Sequence, residues 1–323
     1  MVRLPRGSTG PAARRRRALA AALLALGSPV LAACGLGSPA GPGRAAGPGG
    51  AVVDVVAAEN FWGSIVSQIG GSHARVTSII DNPNVDPHSY EPTTGDAKEL
   101  AGAQLVIENG IGYDPWVPKL LAADLSRATV LDVGRLLGVP DGSNPHRWYD
   151  PMDVRRVVGA MTADLQRLDP ADRSYFAQRK TSFETVALGR YDATIAAIRA
   201  SYAGTPVGAS ESIFAMLAPA LGLKLITPPR FLAAISEGTD VAAADKETID
   251  NQIKHHRIAI YVYNSQNVTP DVQAQLDEVK AEHIPVATIT ETLDPAGSTF
   301  QAWQTRQLLG IQAALAQAAR QAR

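Results

Sequence analysis

The strongest constraint on this chain is a rhythm. Short β-branched runs alternate with longer helical patterns in two halves, and a purely helical stretch lies between them. In the first half, Val52 to Ala57, Arg75 to Ile80, Leu105 to Glu108 and Thr129 to Val133 read as strands. A helix from about Phe61 to Ile69 follows the first of them. Thr205 to Ala209, Lys224 to Ile226, Ile258 to Tyr263 and Pro285 to Ile289 repeat the pattern in the second half. Strands that alternate with helices predict the α/β class, with parallel sheets covered on both faces. Only the architecture repeats; no sequence repeat accompanies it.

The helical middle comes in two pieces. Asp153 to Leu168 has helical periodicity, Asp169-Pro170 interrupts it, and a second helix is predicted from about Ala171 to Tyr202. Its apolar positions Phe176, Phe183, Val186, Leu188, Ile195 and Ile198 fit a helix packed along one side. At 1.5 Å per residue it would run about 45 Å, enough to traverse two lobes. An ordinary buried helix is the plainer account, but length and central position favour a rigid connector. Such a helix resists bending, so a large clamshell closure is not expected. The chain divides accordingly into a lobe over 51–168, a linker helix over 169–203 and a second lobe over 204–323.

Residues 1–34 stand apart. Arg14-Arg15-Arg16-Arg17 is a basic run, and Ala18 to Val30 is rich in Ala and Leu. Leu31-Ala32-Ala33-Cys34 then leads small residues into the only cysteine of the 323-residue chain. This is an export-signal pattern, too short for a stable membrane span, and it resembles a bacterial lipoprotein box with Cys34 as the lipidated residue. A cleavable signal with a chance cysteine is the simpler alternative, but the lone cysteine sits at the one useful position. One thiol cannot form an intrachain disulfide, so the core must stabilise the fold. Residues 35–50 are nearly all Gly, Ala, Pro and Ser and read as a flexible tether. With a net charge of −1 and the basic run confined to the signal, the chain gives no sign of a nucleic-acid partner.

Two of the 6 histidines directly follow a proline in loop-like sequence: Asp86-Pro87-His88 and Asn144-Pro145-His146. Proline stiffens each backbone, as a preorganised metal site requires. Either histidine alone reads more simply as part of a surface turn; the pair, taken with nearby acids, does not. In open α/β sheets, ligands collect at the carboxyl ends of strands. That rule selects Glu211, just beyond the strand ending at Ala209, and Glu291 and Asp294 beyond the strand ending at Ile289. Each acid has a plainer reading: Glu211 as a helix N-terminal acid, the other two as parts of a solvated turn. Two neutral imidazoles and two carboxylates together would neutralise a divalent cation and ease its burial.

At this point the chain resembles the metal-specific solute-binding lipoproteins of bacterial ABC importers for manganese, zinc or iron. The resemblance runs from about Val52 to the C-terminus. It is carried by Asp86-Pro87-His88-Ser89-Tyr90-Glu91-Pro92, by Asn144-Pro145-His146-Arg147-Trp148 with Asp150-Pro151, and by Ser210-Glu211 opening a helix after a strand. It implies two α/β lobes joined by one rigid helix, with the metal at their interface. It also implies that His88 and His146 are the N-lobe ligands and that Glu211 is the third, where zinc-type members often have histidine. The fourth ligand is aspartate in most members. Here Thr290-Glu291-Thr292-Leu293-Asp294-Pro295 places Glu291 at the aligned position, with Asp294 as a nearby substitute. The charged His/Asp-rich loop of many zinc members is missing. The resemblance further implies an ABC permease and a cytoplasmic ATPase as partners, and a lipid-anchored protein on the outer face of the cytoplasmic membrane.

Enzyme readings find less support. Gly208-Ala209-Ser210-Glu211-Ser212 approaches a nucleophile elbow but ends in serine where the turn needs glycine. His255 and His256 are adjacent, so on a helix they diverge rather than share a ligand. An exported metallohydrolase using the same histidines and carboxylates is the best enzymatic alternative; a purely adhesive lipoprotein has no specific support. Two histidines with two carboxylates make an oxygen-rich set that leans to manganese, with zinc next and ferrous iron possible within the same chemistry.

Overall fold

The protein is described by a computed structural model covering residues 52–323, apart from Asp86, His88, Ser89, Leu125 and Ser126. The export signal with Cys34, the tether over 35–50 and His88 therefore lie outside the described residues. Strand β1 (Val53–Glu59) is buried along nearly its whole length, as befits a central strand covered on both faces. Helix α1 (Asn60–Gly70) follows at once and turns Phe61, Trp62, Ile65, Val66 and Ile69 inward, a helical stripe that seals one face of the sheet. Then come β2 (Ala74–Ile80), α2 (Thr94–Gly102), β3 (Leu105–Glu108), α3 (Trp116–Asp124), β4 (Thr129–Asp132) and α4 (Val133–Leu137). The strands form one parallel sheet in the order β2-β1-β3-β4.

The second lobe has the same plan. Strands β5 (Pro206–Ala209), β6 (Lys224–Leu225), β7 (Tyr261–Asn264) and β8 (Val286–Ile289) pair in parallel in the order β6-β5-β7-β8. Helices α8 (Ile213–Leu221), α9 (Pro229–Ser236), α10 (Ala243–Lys254) and α11 (Pro270–Ala281) cover them. In both lobes the chain leaves its first strand in one direction and later returns to the other side. The order therefore reverses between β1 and β3 and between β5 and β7, and a crevice opens there at the carboxyl ends.

Helix α5 (Pro151–Leu168) is capped by the Asp150 carboxylate, which accepts from the amides of Met152 and Asp153. After the Asp169-Pro170 corner, Arg173 to Tyr202 is helical throughout, about 45 Å at the α-helical rise, although not as one regular helix. Between α6 (Arg173–Ser182) and α7 (Gly189–Tyr202), one wide turn closes with Leu188 N donating to Phe183 O at 2.9 Å. That bond spans five residues, so Phe183 and Leu188 both face the core, at 3% and 0% exposure. The same rotation turns Val186 to solvent at 74% exposure, contrary to its predicted place on the packed side. Helix α12 (Phe300–Gln321) packs along α7 and β8. A single apolar cluster runs from Val55 and Trp62 through Tyr191 and Trp303 to Val207 and Ile289, joining the two lobes in one core. None of the described helices is long and apolar enough to cross a membrane.

Candidate metal centre

The crevices of the two lobes face each other, and the chain between α4 and α5 crosses them carrying His146. Three contacts lock that crossing. The Asn109 amide, just beyond β3, donates to Pro145 O at 2.9 Å, while its own Oδ1 accepts from Trp62 Nε1 at 3.1 Å. The indole of Trp148 stacks on Phe61 of α1, with centroids 3.9 Å apart and planes at 15°. Asn144 Nδ2 donates to Ser212 O at 2.7 Å, leaving its Oδ1 to accept from the backbone N and Nδ1 of His146 at 3.1 and 2.8 Å. With Nδ1 holding that hydrogen, Nε2 is the atom offered to the centre. It stands 3.2 Å from Glu291 Oε1, so a proton or a cation can bridge the two.

The C-terminal lobe supplies the acids. Glu211 follows β5; its Oε1 accepts from Asn264 Nδ2 at 2.7 Å and its Oε2 from Asn267 Nδ2 at 2.8 Å. Glu291 follows β8, and its Oε1 also accepts from the Tyr113 hydroxyl of the other lobe at 3.0 Å. Gln266 Oε1 takes the amides of Glu291 and Thr292 at 2.7 and 2.9 Å, while its Nε2 donates to Pro83 O at 2.7 Å. The turn that carries Glu291 is thereby tied to Pro83 of the N-terminal lobe.

His146, Glu211 and Glu291 are 0%, 1% and 3% exposed, and one ligand atom from each lies within 4.8 Å of the others. Atoms bound about 2.1 Å from one ion stand up to about 4.2 Å apart, so small side-chain adjustments would close the set. Of the two candidates beyond β8, Glu291 is in this group. Asp294 is exposed and outside it, its carbonyl accepting from Arg306 Nη2 at 3.0 Å. His255 and His256 are exposed, the latter paired with Glu282 at 3.1 Å. Ser210, the would-be nucleophile, is fully buried, and its Oγ accepts from Asn264 N at 3.2 Å. A groove of about 690 Å³ lined by Tyr202, His256, Ile284 and Leu315 lies elsewhere and shares no residue with the centre.

The sequence reading missed Asn264, Asn267, Asn144 and Tyr113. Asn264 was within reach, because it closes β7 at a crevice, but the apolar run suggested a strand ending one residue earlier, at Tyr263. Three more buried acids back the centre from the N-terminal lobe. Burial, reinforced by Asp114, pushes the Glu59 carboxyl well above its ordinary value. Burial also lifts Asp114 to about 6, although the amides of Asn109 and Gly110 donate to it at 2.6 and 2.8 Å. Glu108 is raised to about 8 by burial and by the nearby charges of Asp114 and Asp132. Kept protonated, Glu59 spares the crevice a further negative charge.

The family model described as zinc-uptake complex component A, periplasmic, matches residues 55–314. Among curated proteins, the manganese-binding lipoprotein MntA of Halalkalibacterium halodurans is 28% identical over 121 residues, 36% of this chain and 40% of that protein. The high-affinity zinc uptake system protein ZnuA of Bacillus subtilis is 23% identical over 200 residues, 56% of this chain and 61% of that protein. The matches thus span less than two thirds of either relative. The solved periplasmic zinc-binding protein TroA of Treponema pallidum superposes with a TM-score of 0.67 at 20% identity, over 81% of this chain and 99% of that one. At that identity the likeness establishes the shared fold.

Proposed function

We propose, starting from a chain that belongs to the family of zinc-uptake complex component A, periplasmic, that this protein captures a divalent transition metal outside the cytoplasm. It hands the ion to an ABC permease driven by a cytoplasmic ATPase. The observation that carries this is the gathering of His146, Glu211 and Glu291, one from the crossing and two from strand ends of the other lobe, in a buried cleft between lobes. His88 is the fourth ligand in this reading. One divalent ion among two imidazoles and two carboxylates leaves the centre neutral, which lowers the cost of burying it. Lobes over 51–168 and 204–323, joined through 169–203, hold the ligands from both sides.

Manganese and zinc are the cargoes that the donor set suits, and ferrous iron has the same ligand chemistry. Bidentate carboxylates favour the higher coordination numbers of manganese; zinc has the greater intrinsic affinity, so selection for manganese would be geometric. Nothing favours a hydrolase built on the same residues. Metal added to the chelator-stripped protein should raise its melting temperature, because an ion that binds only the folded state stabilises it by RT ln(1 + [L]/Kd). At a hundredfold excess over Kd this is about 2.7 kcal/mol, or roughly 5–10 °C for a protein of this size. No shift with manganese, zinc or ferrous iron would overturn the reading.

The finer localisation rests on residues 1–50. Lipidation at Cys34, followed by the tether, would hold the lobes beside a membrane permease at high effective concentration. Mass spectrometry of the mature N-terminus should find an acylated Cys34, and an unmodified terminus elsewhere would rule out the anchor.

A further inference from the structure

A second set of metal-ligating side chains lies at the far end of the N-terminal lobe. His73 immediately precedes β2, so it sits at the amino ends of the strands, whereas the interlobe centre lies at their carboxyl ends. A seven-residue strand separates those two edges by about 20 Å. Against His73 stands the corner between α5 and α6, with Asp169 closing one helix and Asp172 leading into the next. One ligand atom each from His73, Asp169 and Asp172 lies within 4.8 Å of the other two. His73 Nδ1 is 2.8 Å from Asp172 Oδ2.

Two observations separate this trio from an ordinary surface ion pair. First, Asp169 is only 4% exposed, and its Oδ2 is buried without a hydrogen-bond partner among the described residues. A carboxylate oxygen taken from water and given nothing in return costs more than a typical hydrogen bond contributes, and a cation would offset that cost. Second, the trio is rigidly mounted. Gly71 turns at φ +53 directly beneath the Tyr175 hydroxyl, a place where a Cβ would come within 2.1 Å of that oxygen. Tyr175 accepts from Ser72 N at 3.3 Å and packs its ring against the imidazole at a tilt, centroids 4.2 Å apart and planes at 39°. Arg179 Nε donates to Gln68 O at 2.8 Å, fastening the end of α1 to α6. Asp172 precedes α6 yet makes no side-chain cap for it; its carboxylate faces His73 instead.

We infer that His73, Asp169 and Asp172 form an accessory site for a divalent transition cation of the zinc class, which staples the start of β2 to the α5–α6 corner. One imidazole nitrogen and two carboxylates neutralise such an ion, and the side chains of His73 and Asp172 are 21% and 23% exposed, leaving an open position for water. Coordination through Nδ1 keeps the imidazole hydrogen on Nε2, so a neutral ring needs only a tautomer change. The site shares no ligand with the interlobe centre and does not depend on it.

The test uses the full chain in detergent, stripped of metal and titrated with zinc in a background of His146→Ala with Glu211→Ala, which disables the interlobe centre. That background should still bind one equivalent of zinc. The equivalent should be lost on adding His73→Gln, and separately on adding Asp169→Asn. Cobalt should give visible d–d absorption in the background and none after His73→Gln. Both added substitutions preserve size, and a chelator-treated melt matching the background shows that the fold survives. Should Asp169→Asn fail to fold, His73→Gln alone decides. No bound zinc in the background, or an equivalent that survives His73→Gln, would overturn the assignment. Failure of the interlobe proposal would look different: the parent and the background would then bind zinc equally.

Discussion

Alanine at His146 is expected to weaken zinc and manganese binding by roughly a thousandfold, about 4 kcal/mol. The substitution deletes a fully buried nitrogen that Asn144 holds in one tautomer. Glu211→Ala and Glu291→Ala should weaken binding comparably, each removing one of the carboxylates that neutralise the ion. Loss at Glu211 also takes one acceptor from each of the Asn264 and Asn267 amides, which keep Glu291 Oε2 at 3.5 Å and Ile235 O at 3.1 Å. Asn144→Ala touches no ion; it frees the imidazole to turn and should cost about 10- to 100-fold. Asp294→Ala, His255→Ala and His283→Ala, all at exposed positions, should bind as the parent does. Titration of metal-stripped variants by calorimetry measures each. His88→Ala should match His146→Ala, and parent-like affinity in both would end the metal-site reading.

Glu108→Gln should remove a large part of the pH dependence of stability in the metal-free protein. The carboxyl rises from its ordinary 4.5 to about 8 in the folded state. Between those two pH values the unfolded chain has released this proton while the folded protein retains it. The folded state therefore binds more protons, and stability falls as pH rises. The contribution is intact below about pH 4.5 and is lost progressively as pH climbs through the folded value near 8. Glutamine stays neutral throughout. From pH 5 to pH 8 the variant should gain on the parent by on the order of 3 kcal/mol, since each pH step is worth about 1.4 kcal/mol per proton, less some solvent screening. Glu59 and Asp114 slope in the same direction in both proteins, but the Glu108 charge acts on Glu59 and the Asp114 charge acts on Glu108, so they cancel only in part. Urea denaturation at a series of pH values reads it directly, and a difference that stays flat with pH would refute the account.

Most strands were legible because each lies between covering helices and so reads as a compact β-branched run. Leu105 to Glu108 was expected and found with the same ends. Boundaries slipped where polar residues continue a strand. Tyr261 to Asn264 was expected to stop at Tyr263, yet Asn264 pairs in register with Ile289 before its amide turns to Glu211. The wide turn in the connector was invisible for a similar reason. Phe183, Val186 and Leu188 all look like core positions, and only packing decides which of them a five-residue bond turns inward.

By itself the sequence determined the α/β rhythm in two halves, the helical middle, and the strand-end positions of Glu211 and Glu291. These are local properties, because periodicity, proline stiffness and strand ends are written over a few neighbouring residues. Tertiary structure alone decided what meets across the crevices. It brought Glu291 rather than Asp294 beside His146, since the turn after β8 is held by Gln266 while Asp294 passes out to solvent. It chose the imidazole tautomer through Asn144, sixty-eight residues away from the Ser212 carbonyl that orients that amide. It also set His73 against Asp169 and Asp172, residues about a hundred positions apart. Such contacts depend on how two sheets and one long helical run are stacked, and no short stretch of sequence encodes that stacking.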